Sequence, residues 1–180
     1  MPVLEGILIS AELGKVTLIS YNLEMGMKKE IYAKCEEAGD IVVNARLLAD
    51  ILRRMNGLQV TIEADDKLNC HIKCGETTFD IMGMAAEDFP EMPTVGSDKS
   101  IVIDADIFSE MVKGTIFAVA QNEGAKPILT GIYVTIEDRI LRFVAIDAYR
   151  LAIRRHNIDI EGSFSFILSG RAVGEAVKLI

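Results

Sequence analysis

The chain repeats itself at a fixed interval, and this constrains its fold more than any other feature. Pro2-Val-Leu-Glu-Gly-Ile-Leu-Ile returns as Pro127-Ile-Leu-Thr-Gly-Ile-Tyr-Val, an offset of 125 residues. The same offset pairs Leu4 with Leu129, Gly6 with Gly131, Ile7 with Ile132 and Glu12 with Glu137. It still holds where Val43-Asn44-Ala45-Arg46 meets Leu168-Ser169-Gly170-Arg171, Asp50 meets Glu175 and Arg53 meets Lys178. A constant interval over separated positions means two copies of one supersecondary plan.

Each copy reads as a hairpin. Strands are expected over residues 6–10 and 16–21 in the first and 131–135 and 140–146 in the second, with turns at Leu13-Gly14 and Glu137-Asp138. A third strand over 28–35 and a fourth from Asp40 follow in the first copy, running into Asn44 as a helix cap. In the helix after it, Leu47, Leu48, Ile51, Leu52 and Met55 recur at helical spacing, while Arg46, Asp50, Arg53 and Arg54 gather on the opposite face. Alternation over 59–64, 68–73 and 78–82 predicts a meander.

The stretch 86–100 holds Pro90, Pro93 and many turn formers, and marks a boundary between one domain over 1–92 and another over 98–180. The second domain is expected to open with a strand over 100–103, then Asp104 as a cap and a helix with Ile107, Phe108, Met111 and Val112 inward. Strands over 151–154 and 164–168 lead to a helix starting near Ser169 and still running at Ile180. That helix shows no cap, and the first copy has no counterpart of the strand and helix before the second, so both ends are expected to be cut.

Half of the 180 residues are hydrophobic, enough for a substantial core, and the repeat favours two small domains over one. Nineteen basic against 27 acidic residues give a net charge of −8, which opposes unselective binding to a polyanion. Any nucleic-acid contact must be local. No apolar run approaches the roughly 20 residues of a membrane span and no secretory signal pattern opens the chain, so cytoplasm is the default. Cys35, Cys70 and Cys74 are an odd number in such a chain and are expected to be reduced.

Catalytic and metal chemistry find little support. On a strand, His71 faces away from Cys70 and Cys74, His156 has no nucleophile motif beside it, and no glycine-rich phosphate loop is present. The expectation is a non-enzymatic protein without cofactor or metal. The repeated helices are more informative: Arg46, Asp50, Arg53 and Arg54 in one, and Arg171, Glu175 and Lys178 in the other, keep the order basic, acidic, basic away from the core. Such a face is either solvated, with ion pairs worth a few tenths of a kcal/mol each, or a stripe that contacts phosphates without reading bases.

These motifs together resemble the beta subunit family of bacterial DNA polymerase III, the sliding clamps. The resemblance rests on Pro2-Val-Leu-Glu-Gly-Ile with Asn22-Leu-Glu-Met25, Ala86-Glu-Asp-Phe-Pro90, and Lys126-Pro-Ile-Leu-Thr-Gly131 with Asp147-Ala-Tyr-Arg-Leu-Ala152, in the family's order over nearly the whole chain. It implies an α+β fold of repeated clamp domains, with antiparallel sheets outside and helices packed on one face. Family members carry three such domains and close head to tail as a dimeric ring around duplex DNA. By that resemblance the chain is most of a first domain and the first part of a second.

The resemblance also assigns residues. For DNA it points to Arg46, Arg53, Arg54, Arg171 and Lys178, and to Asn122 and Lys126 in the polar loop. A pocket for short hydrophobic peptides of the replicative polymerase and clamp loader would use Leu129, Ile146, Ala148, Tyr149, Arg150 and Leu151. Here Ile146 replaces a usual threonine, and Tyr149 stands where histidine is common in some members. Phe79 and Ile81 fall on the subunit-contact edge. The implied function is a replication processivity factor; the alternative is a peptide-docking module that does not encircle DNA.

Overall fold

A computed structural model describes residues 2–94, 100–121, 124 and 126–180. The chain divides into two compact units, Met1–Val95 and Gly96–Ile180. The expected boundary between 92 and 98 adjoins residues 95–99, outside the described residues.

In the first unit a 3-10 turn, Pro2–Glu5, leads into β1 (Gly6–Glu12), β2 (Lys15–Tyr21), β3 (Gly26–Tyr32) and β4 (Gly39–Asn44). They form an antiparallel sheet in the order β3-β2-β1-β4. Helix α1 (Ala45–Arg54) follows, then the meander β5 (Thr61–Ala64), β6 (Asn69–Cys74) and β7 (Thr77–Met82). The second unit has α2 (Ala105–Lys113), a 3-10 turn at Pro127–Thr130, then β8 (Gly131–Glu137), β9 (Ile140–Ile146), β10 (Leu151–Asn157), β11 (Phe164–Ser169) and α3 (Gly170–Ala176). Its sheet order is β10-β9-β8-β11.

The repeat is reproduced element by element. Shifted by 125, the bounds of the Pro2–Glu5 turn, β1, β2, β3 and β4 become those of the Pro127–Thr130 turn, β8, β9, β10 and β11, and α1 and α3 start in register. Both helices are capped from the expected place: Asn44 Oδ1 accepts from the Leu47 N–H at 2.9 Å and Ser169 Oγ from the Ala172 N–H at 3.4 Å. Each bond satisfies one of the orphan donors of a first helical turn.

The core of the first unit joins its two sheets through α1. Leu48 and Ile51 are buried against Ile9, Ile41 and Val43 on one side and Cys70, Ile72 and Ile81 on the other. In the second unit Met111 and Val112 of α2 and Val173 of α3 are buried with Ile132, Val134, Ile136, Leu141 and Phe143. Phe108 meets Phe143 edge to face, with centroids 6.0 Å apart.

Several expectations are corrected. Residues 100–103 form no strand; Ile101 and Ile103 are half-buried against the core without joining a sheet. The last helix ends at Ala176, capped at Val177 by its N–H to the Val173 and Glu175 carbonyls, rather than running to Ile180. The second hairpin turns on Asp138 and Arg139, both at positive φ, one residue later than expected. Leu47 and Leu52 of α1 are exposed, so its inward stripe is narrower than the sequence spacing suggested. Residues 84–92 are packed onto the first unit: Met84 pairs with Val42 and Phe89 is buried with Val3 and Val42.

Candidate functional site

Helical spacing puts Arg46, Asp50, Arg53 and Arg54 on one exposed face of α1, opposite the buried Leu48 and Ile51. Arg53 reaches Asp50 at 3.7 Å with most of its side chain in solvent. A pair this open contributes at most a few tenths of a kcal/mol and leaves the guanidinium able to meet a phosphate. The counterpart face has Arg171 exposed near the start of α3, with Lys178 Nζ 2.7 Å from Glu175 one turn later. Lys178 lies just past the cap, yet its N–H still bonds the Glu175 carbonyl, so the helical spacing is kept. Lys126 is exposed at the N-terminal side of the Pro127–Thr130 turn, and Asn122 lies outside the described residues.

The residues expected to hold peptides cluster where β9 crosses to β10. Asp147 builds that corner: its Oδ1 accepts the Tyr149 and Arg150 N–H groups at 2.8 and 3.0 Å, and its Oδ2 accepts from Arg150 Nε at 2.9 Å. These donors, the Tyr149 N–H foremost and then the Arg150 side chain, hold the Asp147 carboxyl below its usual range. So fixed, the Arg150 guanidinium stands 5.9 Å from the centre of the Phe117 ring. Around it Ile146 and Leu151, directly paired across the strands, are exposed with Ala148 and the fully solvent-facing Tyr149, while Leu129 is half-buried. Among these, sequence reading missed Phe117 and the organising role of Asp147. The Asp-x-x-Arg spacing, which suits a carboxylate that caps its own turn, was the available signal.

Phe79 and Ile81 separate. Both lie on the same side of edge strand β7, and Ile81 is buried with Cys70 and Ile72. Phe79 is partly exposed. His71 faces away from the buried Cys70 and Cys74 and its Nδ1 lies 2.5 Å from Asp80 of β7. Hydrogen bonding to Asp80 raises the His71 pKa. All three cysteines are free, and among the described residues no cluster of three or more His, Cys, Asp or Glu could hold a metal. No helix among the described residues is long and apolar enough to cross a membrane.

The family model for the DNA polymerase III beta subunit N-terminal domain matches residues 1–93, and that for its central domain matches 102–180. The chain belongs to the DNA polymerase III beta subunit family. It is 35% identical to the beta sliding clamp of Micrococcus luteus over 99% of the chain and 57% of that protein. It is 28% identical to that of Bacillus subtilis over the whole chain and 50% of that protein. Among solved structures, a putative DNA polymerase III beta subunit from Eubacterium rectale matches with a TM-score of 0.94 at 32% identity, covering the whole chain and 49% of that one. The Bacillus subtilis DNA polymerase sliding clamp matches at 0.92 and 27%, covering the whole chain and 50% of that one. The chain thus spans about half the length of these family members.

Proposed function

We propose that this chain supplies two of the repeated units of a replication clamp that surrounds duplex DNA and tethers the polymerase, and that it performs no catalysis itself. The observation that carries the reading is the equivalence of α1 and α3. The basic-acidic-basic order of Arg46, Asp50 and Arg53 recurs as Arg171, Glu175 and, just past the cap of α3, Lys178, on helices that start in register after equivalent strands. A core-facing requirement would not repeat charge on the outward side. A requirement to meet phosphates at regular intervals would.

The net charge of −8 suits a protein that holds DNA by enclosure and touches it only along these faces. In this reading the corner set by Asp147 presents Leu129, Ile146, Tyr149 and Leu151 to short hydrophobic peptides of the polymerase and clamp loader, with Arg150 at its rim. The open β7 edge with Phe79 faces a neighbouring subunit in a cytoplasmic dimeric ring. The domains of that ring correspond to residues 1–92 and 98–180.

Titration of a labelled duplex at several salt concentrations tests it. Binding should be near the non-specific range of about 10⁻⁴ M or weaker, indifferent to base sequence, and steeply reduced by salt. Sequence-selective binding, or binding that salt does not alter, would overturn the proposal.

A further inference from the structure

Asparagine loses its amide when the backbone nitrogen of the next residue attacks the side-chain carbonyl carbon, so its fate depends on whether those two groups are held. Asparagine stands at 22, 44, 56, 69, 122 and 157, and only Asn56 is followed by glycine. Asn22 Oδ1 accepts the Glu24 and Met25 N–H groups at 3.1 and 2.8 Å, and Asn44 Oδ1 accepts that of Leu47. Asn69 Nδ2 donates to Asp65 Oδ2 at 2.8 Å, and its strand β6 is paired on both sides. Asn157 ends β10, and the nitrogen after it, that of Ile158, donates to the Arg139 carbonyl at 2.9 Å. Asn122 lies outside the described residues.

Asn56 is held by neither means. Helix α1 ends at Arg54, its cap Met55 turns into extended backbone at φ −81° and ψ 129°, and β5 begins only at Thr61. Asn56, Gly57 and Leu58 between them are exposed. Among the described residues no hydrogen bond involves the Asn56 side chain or the Gly57 N–H. Glycine has no Cβ to hinder the approach of its nitrogen. Nor does the fold admit a larger residue there, because a Cβ on Gly57 would collide with Sγ of the buried Cys74. Packing of this loop onto β6 thus retains the Asn-Gly pair.

We propose that Asn56 is a deamidation site, and that its conversion places a carboxylate at the C-terminal end of the basic α1 face. The Gly57 nitrogen gives its proton to water and bonds to Asn56 Cγ; the side-chain nitrogen leaves as ammonia, and a succinimide ring remains. Water opens that ring at either carbonyl, giving aspartate or isoaspartate and one negative charge beyond the original −8. The new charge lies two residues past Arg54 and three past Arg53, at the helix end whose dipole already disfavours anions. Its consequence for DNA rests on the reading that this face meets phosphates. A carboxylate about 10 Å from a phosphate lowers affinity about twofold at low salt and less as salt rises.

The test incubates the full chain, folded and in urea, at mildly alkaline and mildly acidic pH, then digests it for mass spectrometry with enzymatic detection of isoaspartate. A gain of one mass unit confined to the peptide carrying Asn56 is expected, at folded and unfolded rates of the same order. It should be faster at the alkaline pH, because the attacking nitrogen must lose its proton, and absent in Asn56→Gln, whose longer side chain closes a larger ring far more slowly. Conversion of the unfolded chain alone, or equally fast conversion at another asparagine, would overturn the proposal. Duplex titration of Asn56→Asp reads the consequence, with a fall in affinity expected at low salt. Unchanged affinity, beside a fall when Arg53 and Arg54 are reversed to glutamate, would overturn that consequence. If the double reversal also changed nothing, the phosphate-facing reading would fail and the modification site would stand.

Discussion

Replacing Phe143 by alanine should damage the second unit severely, and the structure sets the scale. The ring is 1% exposed in the centre of β9 and meets Phe108 of α2 edge to face at 81°. Losing a ring this enclosed costs its transfer free energy and leaves a void that the neighbouring strands cannot close, together about 3–5 kcal/mol. Roughly 0.5–1.5 kcal/mol of that belongs to the aromatic pair itself, and a double-mutant cycle with Phe108→Ala should recover it as coupling. Phe166→Ala in the same sheet is the control: that ring is about a third exposed and should cost roughly 1 kcal/mol. Urea unfolding followed by hydrogen exchange at β8 and β9 amides reads the second unit directly. A loss below about 1 kcal/mol for Phe143→Ala, or one no larger than for Phe166→Ala, would refute the assignment of Phe143 as the centre of this core.

Other outcomes follow from the same contacts. Asn44→Ala should cost about 1 kcal/mol and Ser169→Ala less, because the serine bond is longer; urea melts of the two variants give the order. His71, whose folded pKa is raised by Asp80, contributes stability that is present below about pH 6.5 and lost as pH rises through the folded value. Asp80→Asn should remove that dependence in exchange rates along β6 and β7. Asp147, whose folded pKa is lowered, contributes above about pH 4, and its share disappears as pH falls through the folded value. Acid titration of wild type against Asp147→Asn, followed at the Tyr149 and Arg150 amides, reads it. Tyr149→Ala and Leu151→Ala should each weaken binding of a short hydrophobic polymerase peptide severalfold by calorimetry without changing the melting temperature, since both side chains are exposed.

The repeat made most of the fold legible, because strand alternation, the Gly6 and Gly131 positions and the Asn44 and Ser169 caps all recur at one interval. The errors fell where burial and backbone pairing part company. Ile101 and Ile103 alternate as a strand would, yet the alternation reflects packing on the core with no strand beside it. Ile81 was assigned to the subunit-contact edge by the resemblance alone, and periodicity did not show that the sheet packs onto α1 and takes its side chain inward. Phe89 sits in a stretch of prolines and turn formers that the pattern marks only as the approach to a domain boundary. An aromatic residue within such a polar stretch was the sign that it had somewhere to be buried. The Asp147 corner was beyond periodicity because it depends on three hydrogen bonds inside four residues.

The proposal that outward helix faces meet DNA phosphates is tested most directly by reversing Arg53 and Arg54 to glutamate together. Both are exposed on α1, away from the buried Leu48 and Ile51, so the fold should survive by circular dichroism. Duplex affinity should then fall, and the slope of log K against log salt should lose roughly 0.9 for each phosphate contact removed, close to 2 if both arginines bind. Unchanged affinity and slope in a folded double variant would mean that these arginines are only solvated and that this face does not meet DNA.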